Sequence, residues 1–269
     1  MLVIVLGVIV GLIMALTGAG GGILAVPLLI FATGLTVAQA GPVGLLAVGM
    51  SAGLGATLGL RTGTVRYRAA FLMAAAGVLC SPIGIWLASQ FNEDVMSALF
   101  STVLMFVAYR IFKQSHHDLV LEQEKETGHS LPCNLDADKK RLVWTKPCGR
   151  ALAMFGSCAG LLSGLLGVGG GFVIVPALQR YTDLTMNSVV ATSLAVIALV
   201  SLSGVVASTL HGGMNWSVAL PFCGGALTGM LLGRLIAKHL AGPQLQTAFA
   251  MVAALVALGM QGKILFHFL

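Results

Sequence analysis

The stretch GLIMALTGAGGGILAVPLL, from Gly11 to Leu29, decides the fold of this chain because it occurs twice. The second copy, GLLSGLLGVGGGFVIVPAL, runs from Gly160 to Leu178, and ten of the nineteen aligned positions are identical at an offset of 149 residues. Matches outside this stretch, such as Gly63 with Gly212, keep the same offset. Chance similarity between apolar segments does not hold one register over this distance, so the sequence predicts two homologous halves.

Each copy consists of an apolar run that enters a glycine cluster and an apolar run that leaves it. Glycine costs about 1 kcal/mol relative to alanine inside a helix, so three consecutive glycines predict a break. Irregular backbone at membrane depth is stable only where protein buries it or where it lines a watery cavity. In a hydrophobic chain, broken helices at corresponding positions of two halves indicate the binding site of a transporter.

The composition excludes a soluble fold. Hydrophobic residues make up 57 % of the chain and charged residues only 9 %, whereas soluble domains carry about 25 % charged residues. The sequence therefore predicts an all-α polytopic bundle of transmembrane helices, with the lipid bilayer as its surroundings. The net charge of +6 bears on orientation and lipid contacts, and we do not expect nucleic acid as a partner.

The apolar runs are long enough to cross a bilayer, because about 20 helical residues span the hydrocarbon core. We expect residues 1–112 to form the first membrane repeat and residues 150–269 the second, joined by a polar linker at 113–149. The linker holds most of the carboxylates and no sustained apolar period, so we expect it to be extramembrane and partly disordered. The predicted spans after the breaks are 39–60, 69–89, 95–112, 187–210, 217–237 and 245–260.

Basic residues in short loops predict the orientation, because lysine and arginine favour the cytoplasmic side. The loop at 61–68 holds three arginines and the turn at 92–94 holds none, so we expect the loop and the linker to be cytoplasmic. Two topologies stay open. If each broken element is a re-entrant hairpin, the halves are inverted; if it crosses once, they are parallel. Inversion places both Arg180 and Arg234 in the cytoplasm, so we favour it.

The two breaks are the predicted substrate site. A half-helix that begins after a glycine cluster, as at Ile23 and Phe172, directs unpaired amide N–H groups and the positive end of its dipole at the break, which attracts anions. The glycines of the site are Gly18, Gly20, Gly21, Gly22, Gly167, Gly169, Gly170 and Gly171. Polar side chains that could donate to an anion include Thr17, Gln39 and Ser188, and we assign Asn187, Thr192 and Ser193 to the site. The alternative is that the glycines serve close helix packing and the side chains bond their own helix backbone.

Ionisable and metal-binding groups are sparse. No Asp or Glu lies within a predicted span, which argues against a carboxylate proton relay and fits an anionic substrate. His211 lies in a glycine-rich turn and could carry a coupled proton. The five cysteines contain no CxxC pair, so we do not expect a disulfide framework. Cys133 and Cys148 share a polar stretch with three histidines, but the spacing matches no standard zinc pattern, and we expect no metal and no cofactor.

The two G-x-G-G-G-x-x-x-V-P elements, at Gly18 to Pro27 and Gly167 to Pro176, resemble the TauE/SafE family of sulfite exporters. The ATSL run at 191–194 and the HGGMNW turn at 211–216 add to the resemblance, which covers nearly the whole chain outside the linker. The resemblance implies export of sulfite or organosulfonates across the bacterial cytoplasmic (inner) membrane by a secondary mechanism. It does not identify the individual substrate.

Two other function classes stay open at this point. An intramembrane hydrolase needs a nucleophile and a base, and Ser203 with His211 is the nearest pair, without a supporting motif. A structural membrane subunit would move no solute. Our hypothesis from the sequence is secondary transport of a small sulfur-containing anion, with a proton or another ion as the candidate coupled partner and the oligomeric state left open.

Overall fold

The computed structural model describes residues 1–18, 20–121, 146–182, 184–210, 214–240 and 251–262, together with Cys133 and short strands at 135–136 and 141–142. The helices of the first half are α1 (Leu2–Thr17), α2 (Gly20–Thr33), α3 (Val37–Arg61), α4 (Tyr67–Ala88) and α5 (Glu93–Leu121). Those of the second half are α6 (Lys146–Leu166), α7 (Gly171–Tyr181), α8 (Met186–Leu210), α9 (Trp216–Leu240) and α10 (Met251–Gly262). Strands β1 (Leu135–Asp136) and β2 (Arg141–Leu142) pair antiparallel.

Five helices of the described chain, α3, α4, α6, α8 and α9, are long and apolar enough to cross a membrane. The predicted all-α membrane bundle is therefore confirmed. Helix α5, in which we predicted a span at 95–112, is not among the five; it begins with two carboxylates, Glu93 and Asp94. It also continues to Leu121, so residues 113–121, which we assigned to the linker, are helical.

Each glycine cluster joins two helices that run back beside each other. Gly18, with φ +76°, ends α1, and a Cβ placed on Gly21 by standard geometry would lie 2.5 Å from the carbonyl oxygen of Val10, so α2 returns along α1. In the second half the ring centroids of Phe155 in α6 and Tyr181 in α7 lie 5.2 Å apart. We call α1–α2 hairpin 1 and α6–α7 hairpin 2. Each enters and leaves the bundle on one side, as the re-entrant topology requires.

The central pair of long helices, α3 and α8, runs antiparallel. Gly49 packs on Ser201, and ten residues further along α3 Gly59 packs on Ala191, ten residues earlier in α8. Helix α8 is the counterpart of α3 at the offset of 149 residues, and two counterparts that run in opposite directions are what inverted halves require. The duplication itself stays a prediction from the sequence.

Each hairpin packs on a helix from the opposite half. Helix α1 lies along α9 so closely that the carbonyl of Ala226 occupies the space where Gly11 would carry a Cβ. Helix α6 lies along α4 in the same way, with Gly160 against the carbonyl of Gly77. Small residues allow such close approach between membrane helices. The packing interpretation therefore holds for these glycines, which lie outside the breaks.

Cys133 and Cys148 form a single disulfide, which the sequence did not predict, while Cys80, Cys158 and Cys223 are free. Both residues are buried, and Cys133 also pairs with Thr182, just beyond α7, in an isolated β-bridge. The disulfide depends on tertiary packing beside Thr182, at the end of α7. The sequence separation of 15 residues between the two cysteines does not predict it. The part of the linker that the structure describes is thus anchored to hairpin 2. Within the described residues no group of three or more His, Cys, Asp or Glu could hold a metal ion.

Candidate functional site

The tips of the two hairpins meet inside the bundle. A Cβ placed on Gly22, in α2, would lie 2.6 Å from the carbonyl oxygen of Val168, in the tip of hairpin 2. Both residues are buried. The two glycine breaks, 149 residues apart in sequence, are therefore in backbone contact.

Each tip reaches deep into the opposite half. Gly18 lies against the side chain of Val190 in α8, and Gly167 lies against the backbone of Gly41 in α3. Val190 and Gly41 are each the fifth residue of their helix. Each hairpin therefore passes most of the length of the central pair before it turns, and the two tips overlap along the bundle.

The backbone of the hairpin 2 tip is arranged to present amide groups. Gly167, Gly169 and Gly170 adopt φ of +71°, +79° and +67°, the left-handed region that favours glycine. Helix α7 begins at Gly171 without a side-chain cap. The amide groups of Gly171 and Phe172 have no acceptor within their own helix, and the positive end of the α7 dipole lies at the same point.

Hairpin 1 is built differently. Only Gly18 has a positive φ there among the residues that the structure describes. Helix α2 begins at Gly20, so Gly20, Gly21 and Gly22 form its first turn and do not precede it. The expectation that this half-helix opens at Ile23 was wrong, because two of these glycines serve close approach: Gly21 packs on α1 and Gly22 on the opposite tip.

The structure places one polar side chain at the tips that we did not predict, Ser201. It lies in α8, is 0 % exposed, and its Oγ has no hydrogen-bond partner in the described part of the chain. A Cβ placed on Gly169 would lie 3.1 Å from this Oγ, so the hydroxyl faces the tip of hairpin 2. Its position in an apolar run gives no signal, because the proximity to Gly169 depends on packing between distant segments.

Of the three predicted polar residues, one is exposed and two are buried and already hydrogen-bonded within the protein. Asn187 is exposed in the first turn of α8, about 21 Å along the helix axis from Ser201. Thr192 is buried, and its Oγ1 accepts the backbone N–H of Arg66. Ser193 is buried and donates to the carbonyl of Val190 at 2.8 Å, within its own helix.

Of the two residues proposed for a hydrolase, the structure describes only Ser203. The Ser203 hydroxyl donates to the carbonyl of Val200 at 2.7 Å. Ser203 lines an apolar groove between α4 and α8, beside Phe71 and Leu202, which are exposed on the bundle surface. His211 and the next two residues of its turn lie outside the described residues.

The helices that form the tips and the central pair carry no carboxylate: α1, α2, α3, α6, α7 and α8 contain neither Asp nor Glu. Around the tip of hairpin 2 lie the Ser201 hydroxyl, the apolar side chains of Val48 and Ile197, and the backbone carbonyls of Gly41 and Ala159, in addition to the amide N–H groups at the start of α7. A site of this kind offers hydrogen-bond donors to a negative solute and no fixed charge of either sign.

The chain resembles known membrane transporters over most of its length. Residues 3–260 match the family described as sulfite exporter TauE/SafE. The chain is 28 % identical over 254 residues to the "Probable membrane transporter protein YunE" of Bacillus subtilis (strain 168), covering 89 % of each chain. It is 27 % identical over 263 residues to a "Probable membrane transporter protein" of Xylella fastidiosa (strain Temecula1), covering 94 % of this chain and 91 % of the relative.

A third relative comes from an archaeon. The "Probable membrane transporter protein MJ0441" of Methanocaldococcus jannaschii is 26 % identical over 213 residues, 76 % of this chain and 70 % of the relative. No solved structure matches the chain. The family is described as an exporter family and the relatives are named probable membrane transporters, which is consistent with a transporter and not an enzyme, and the apolar helices agree. The chain belongs to the TauE/SafE family and is a membrane transporter.

Proposed function

We propose that this transporter moves a small sulfur-containing anion, sulfite or an organosulfonate, by a secondary mechanism, and that the anion binds where the two hairpin tips meet. The observation that carries the proposal is the buried tip of hairpin 2, where left-handed glycines and the start of α7 present amide groups beside the opposite tip. Helix N-termini bind anions in this way. The absence of carboxylates from the surrounding helices supports a negative substrate, which such groups would repel.

The chemical class of the anion rests on the family. Its description names sulfite as the exported solute, while the names of the three relatives state no substrate. A site formed mainly from backbone suits a compact oxyanion, because the tips are closed in by backbone and small side chains. An organosulfonate would present the same oxygen-rich head to the tips.

Alternating access follows from the way the hairpins are held. Gly22, Val168 and Gly169 are all buried, so the tips are closed to both sides in this conformation. Hairpin 1 is packed on α9, and hairpin 2 on α4. We propose that each hairpin moves together with that partner helix against the α3–α8 pair, opening the tips to one side at a time. Neither tip carries an ionisable side chain in its sequence. If a proton is coupled to transport, we propose that it passes the tips bound to the anion itself.

The bacterial cytoplasmic membrane and the orientation in it are part of the same proposal. Arg61 and Arg66 lie beside the first turns of α8, Arg180 lies at the end of α7, just before α8, and Arg150 lies near the start of α6. These four arginines share one end of the bundle, because α3 and α8 are antiparallel and hairpin 2 enters and leaves together. The positive-inside rule makes this end cytoplasmic.

Flux into liposomes tests the function. The purified protein is reconstituted, and uptake of sulfite, thiosulfate, sulfate and ethanesulfonate is measured with and without a pH gradient, against protein-free liposomes. We expect saturable flux of sulfite or the sulfonate, with weaker flux of the others. Absence of flux for every anion on the panel, from protein that is folded and inserted, would support the structural-subunit alternative and end the proposal.

A further inference from the structure

Ser201 is one of four buried serines in the described helices, with Ser51, Ser81 and Ser163, whose hydroxyl oxygens have no hydrogen-bond partner, and its Oγ lies against the tip of hairpin 2. Ser193, Ser203 and Thr228 each donate to a carbonyl three residues earlier in their own helix. Such a bond is open to any serine in a helix and satisfies its hydroxyl inside a membrane. The Ser201 hydroxyl makes no such bond in the described structure, although the residue is completely buried. Burying a polar group without a partner is unfavourable, so the rotamer of Ser201 calls for an explanation.

The direction in which the Ser201 hydroxyl points explains its rotamer. Its Oγ lies 3.1 Å from the point where a Cβ would stand on Gly169, and the Ser201 Cβ lies 2.9 Å from the corresponding point on Gly49. Any side chain at position 169 would therefore fill the space in front of the hydroxyl. Gly49 is the middle residue of the 25-residue helix α3, so this contact lies halfway through the bundle. The hydroxyl is thus aimed into the tip of hairpin 2, one residue from the glycine that caps α7.

The opposite half does not repeat this feature. At the offset of 149 residues the counterpart of Ser201 is Ala52, which is also buried. The tip of hairpin 1 faces the apolar Val190 at Gly18 and has fewer left-handed glycines. Left-handed glycines and an unpartnered buried hydroxyl therefore occur together at the tip of hairpin 2.

We propose that Ser201 is a substrate-contacting and specificity-determining residue: its hydroxyl donates a hydrogen bond to an oxygen of a small oxyanion held at the tip of hairpin 2, beside the amide groups of Gly171 and Phe172. This inference rests on the proposed function and adds to it that the two tips are unequal, hairpin 2 being the one that binds. The ligand class is an oxyanion of sulfur with an acceptor oxygen free to meet the hydroxyl.

The test is the half-saturating concentration for sulfite in liposomes, measured for wild type, Ser201→Ala, Ser201→Cys and Ser203→Ala. Ser203 is a matched control on the same helix, because its hydroxyl is bonded to Val200 and faces the α4 groove. We expect Ser201→Ala to raise the half-saturating concentration about tenfold, the scale of one hydrogen bond to a charged group. For Ser201→Cys, whose thiol is a weaker donor, we expect a half-saturating concentration between those of wild type and Ser201→Ala. For Ser203→Ala we expect the wild-type value.

Stability provides a readout that a structural role would not give. Removing an unpartnered buried hydroxyl should leave the unfolding temperature of Ser201→Ala equal to or above that of wild type. A lower unfolding temperature together with an unchanged half-saturating concentration would assign Ser201 to packing and overturn the inference. An unchanged half-saturating concentration alone would overturn it too, while the function stands. If wild type moves no anion, the proposed function fails, and this inference fails with it.

Discussion

The backbone N–H of Arg66 donates a hydrogen bond of 3.0 Å to Oγ1 of Thr192, across 126 residues of sequence. The bond ties the connection between α3 and α4 to the second turn of α8. It also uses one acceptor lone pair of the hydroxyl that the sequence suggested as a hydrogen-bond donor to the substrate. Thr192 is 0 % exposed, so its side chain is a fixed part of the packing at this end of the bundle.

Thr192→Val removes this acceptor while keeping the shape of the side chain, and Val43 stands at the corresponding position of the first half. We expect a loss of about 1 kcal/mol in unfolding free energy, the scale of one hydrogen bond. Thermal unfolding in detergent measures it. The half-saturating concentration for sulfite should not change. A tenfold rise would instead indicate that Thr192 contacts the substrate.

Gly170→Val should abolish transport while the protein still inserts in the membrane. Gly170 adopts φ +67°, and a Cβ there would collide with the carbonyl of Ala159, so valine forces the tip of hairpin 2 to move. Gly34→Val is the control, because Gly34 has φ +69° but no atom within 4 Å of its Cβ position. It carries the same backbone strain away from the tips and should transport. The anion flux and the amount of protein in the membrane are measured for both variants. Wild-type flux in Gly170→Val would show that the tip of hairpin 2 is not needed for transport.

Gly160→Ala should destabilise the bundle by about 1–3 kcal/mol, the usual range for overpacking. The new methyl would overlap the carbonyl and Cα of Gly77, and both partners are backbone that cannot rotate away. Gly53→Ala, inside α3 with no atom within 4 Å, is the matched control and should be neutral or slightly stabilising, since alanine favours helix. The unfolding temperatures of the two variants in detergent show whether only Gly160→Ala destabilises the bundle. Equal temperatures would show that the α4–α6 contact is looser than described.

Cys133 and Cys148 should be thiols in growing cells and a disulfide in the isolated protein. They lie at the end of the bundle that carries Arg150 and Arg180, which the positive-inside rule makes cytoplasmic, and the cytosol keeps thiols reduced. Intact cells are treated with a membrane-permeant alkylating reagent before lysis, and the mass of the labelled peptides reports the state of each cysteine. Cys158, an exposed free cysteine of α6, serves as an internal reference for a labelled thiol. A disulfide already present in cells would place this end outside and reverse the orientation.

Much of the fold could be predicted because it depends on local sequence. The bounds of α3 and α8 agree with the predicted spans within two residues, since their ends follow from apolar length and turn residues. The break in hairpin 2 was visible because its positive φ angles favour glycine. The start of α2 was misplaced because its glycines look the same in the sequence but serve close approach.

The rest depends on contacts between distant segments. Nothing near Ser201 in the sequence indicates that its hydroxyl faces Gly169, and nothing near Cys133 indicates that it meets Cys148 beside Thr182. Asn187 was a candidate because it is polar and near an apolar run, but its place in the first turn of α8 leaves it exposed at the surface. Polarity alone therefore does not identify the residues at the tips; the packing of α8 does.

The pairing of α1 with α9 and of α6 with α4 has a consequence for how the protein is made. Helix α1 leaves the ribosome well before α9, and its glycine face is not covered until α9 has been synthesised. The two halves expressed as separate polypeptides would each expose such a face to lipid and would have to associate in the membrane before either became stable. The α1–α9 contact can therefore form only after both halves have been synthesised.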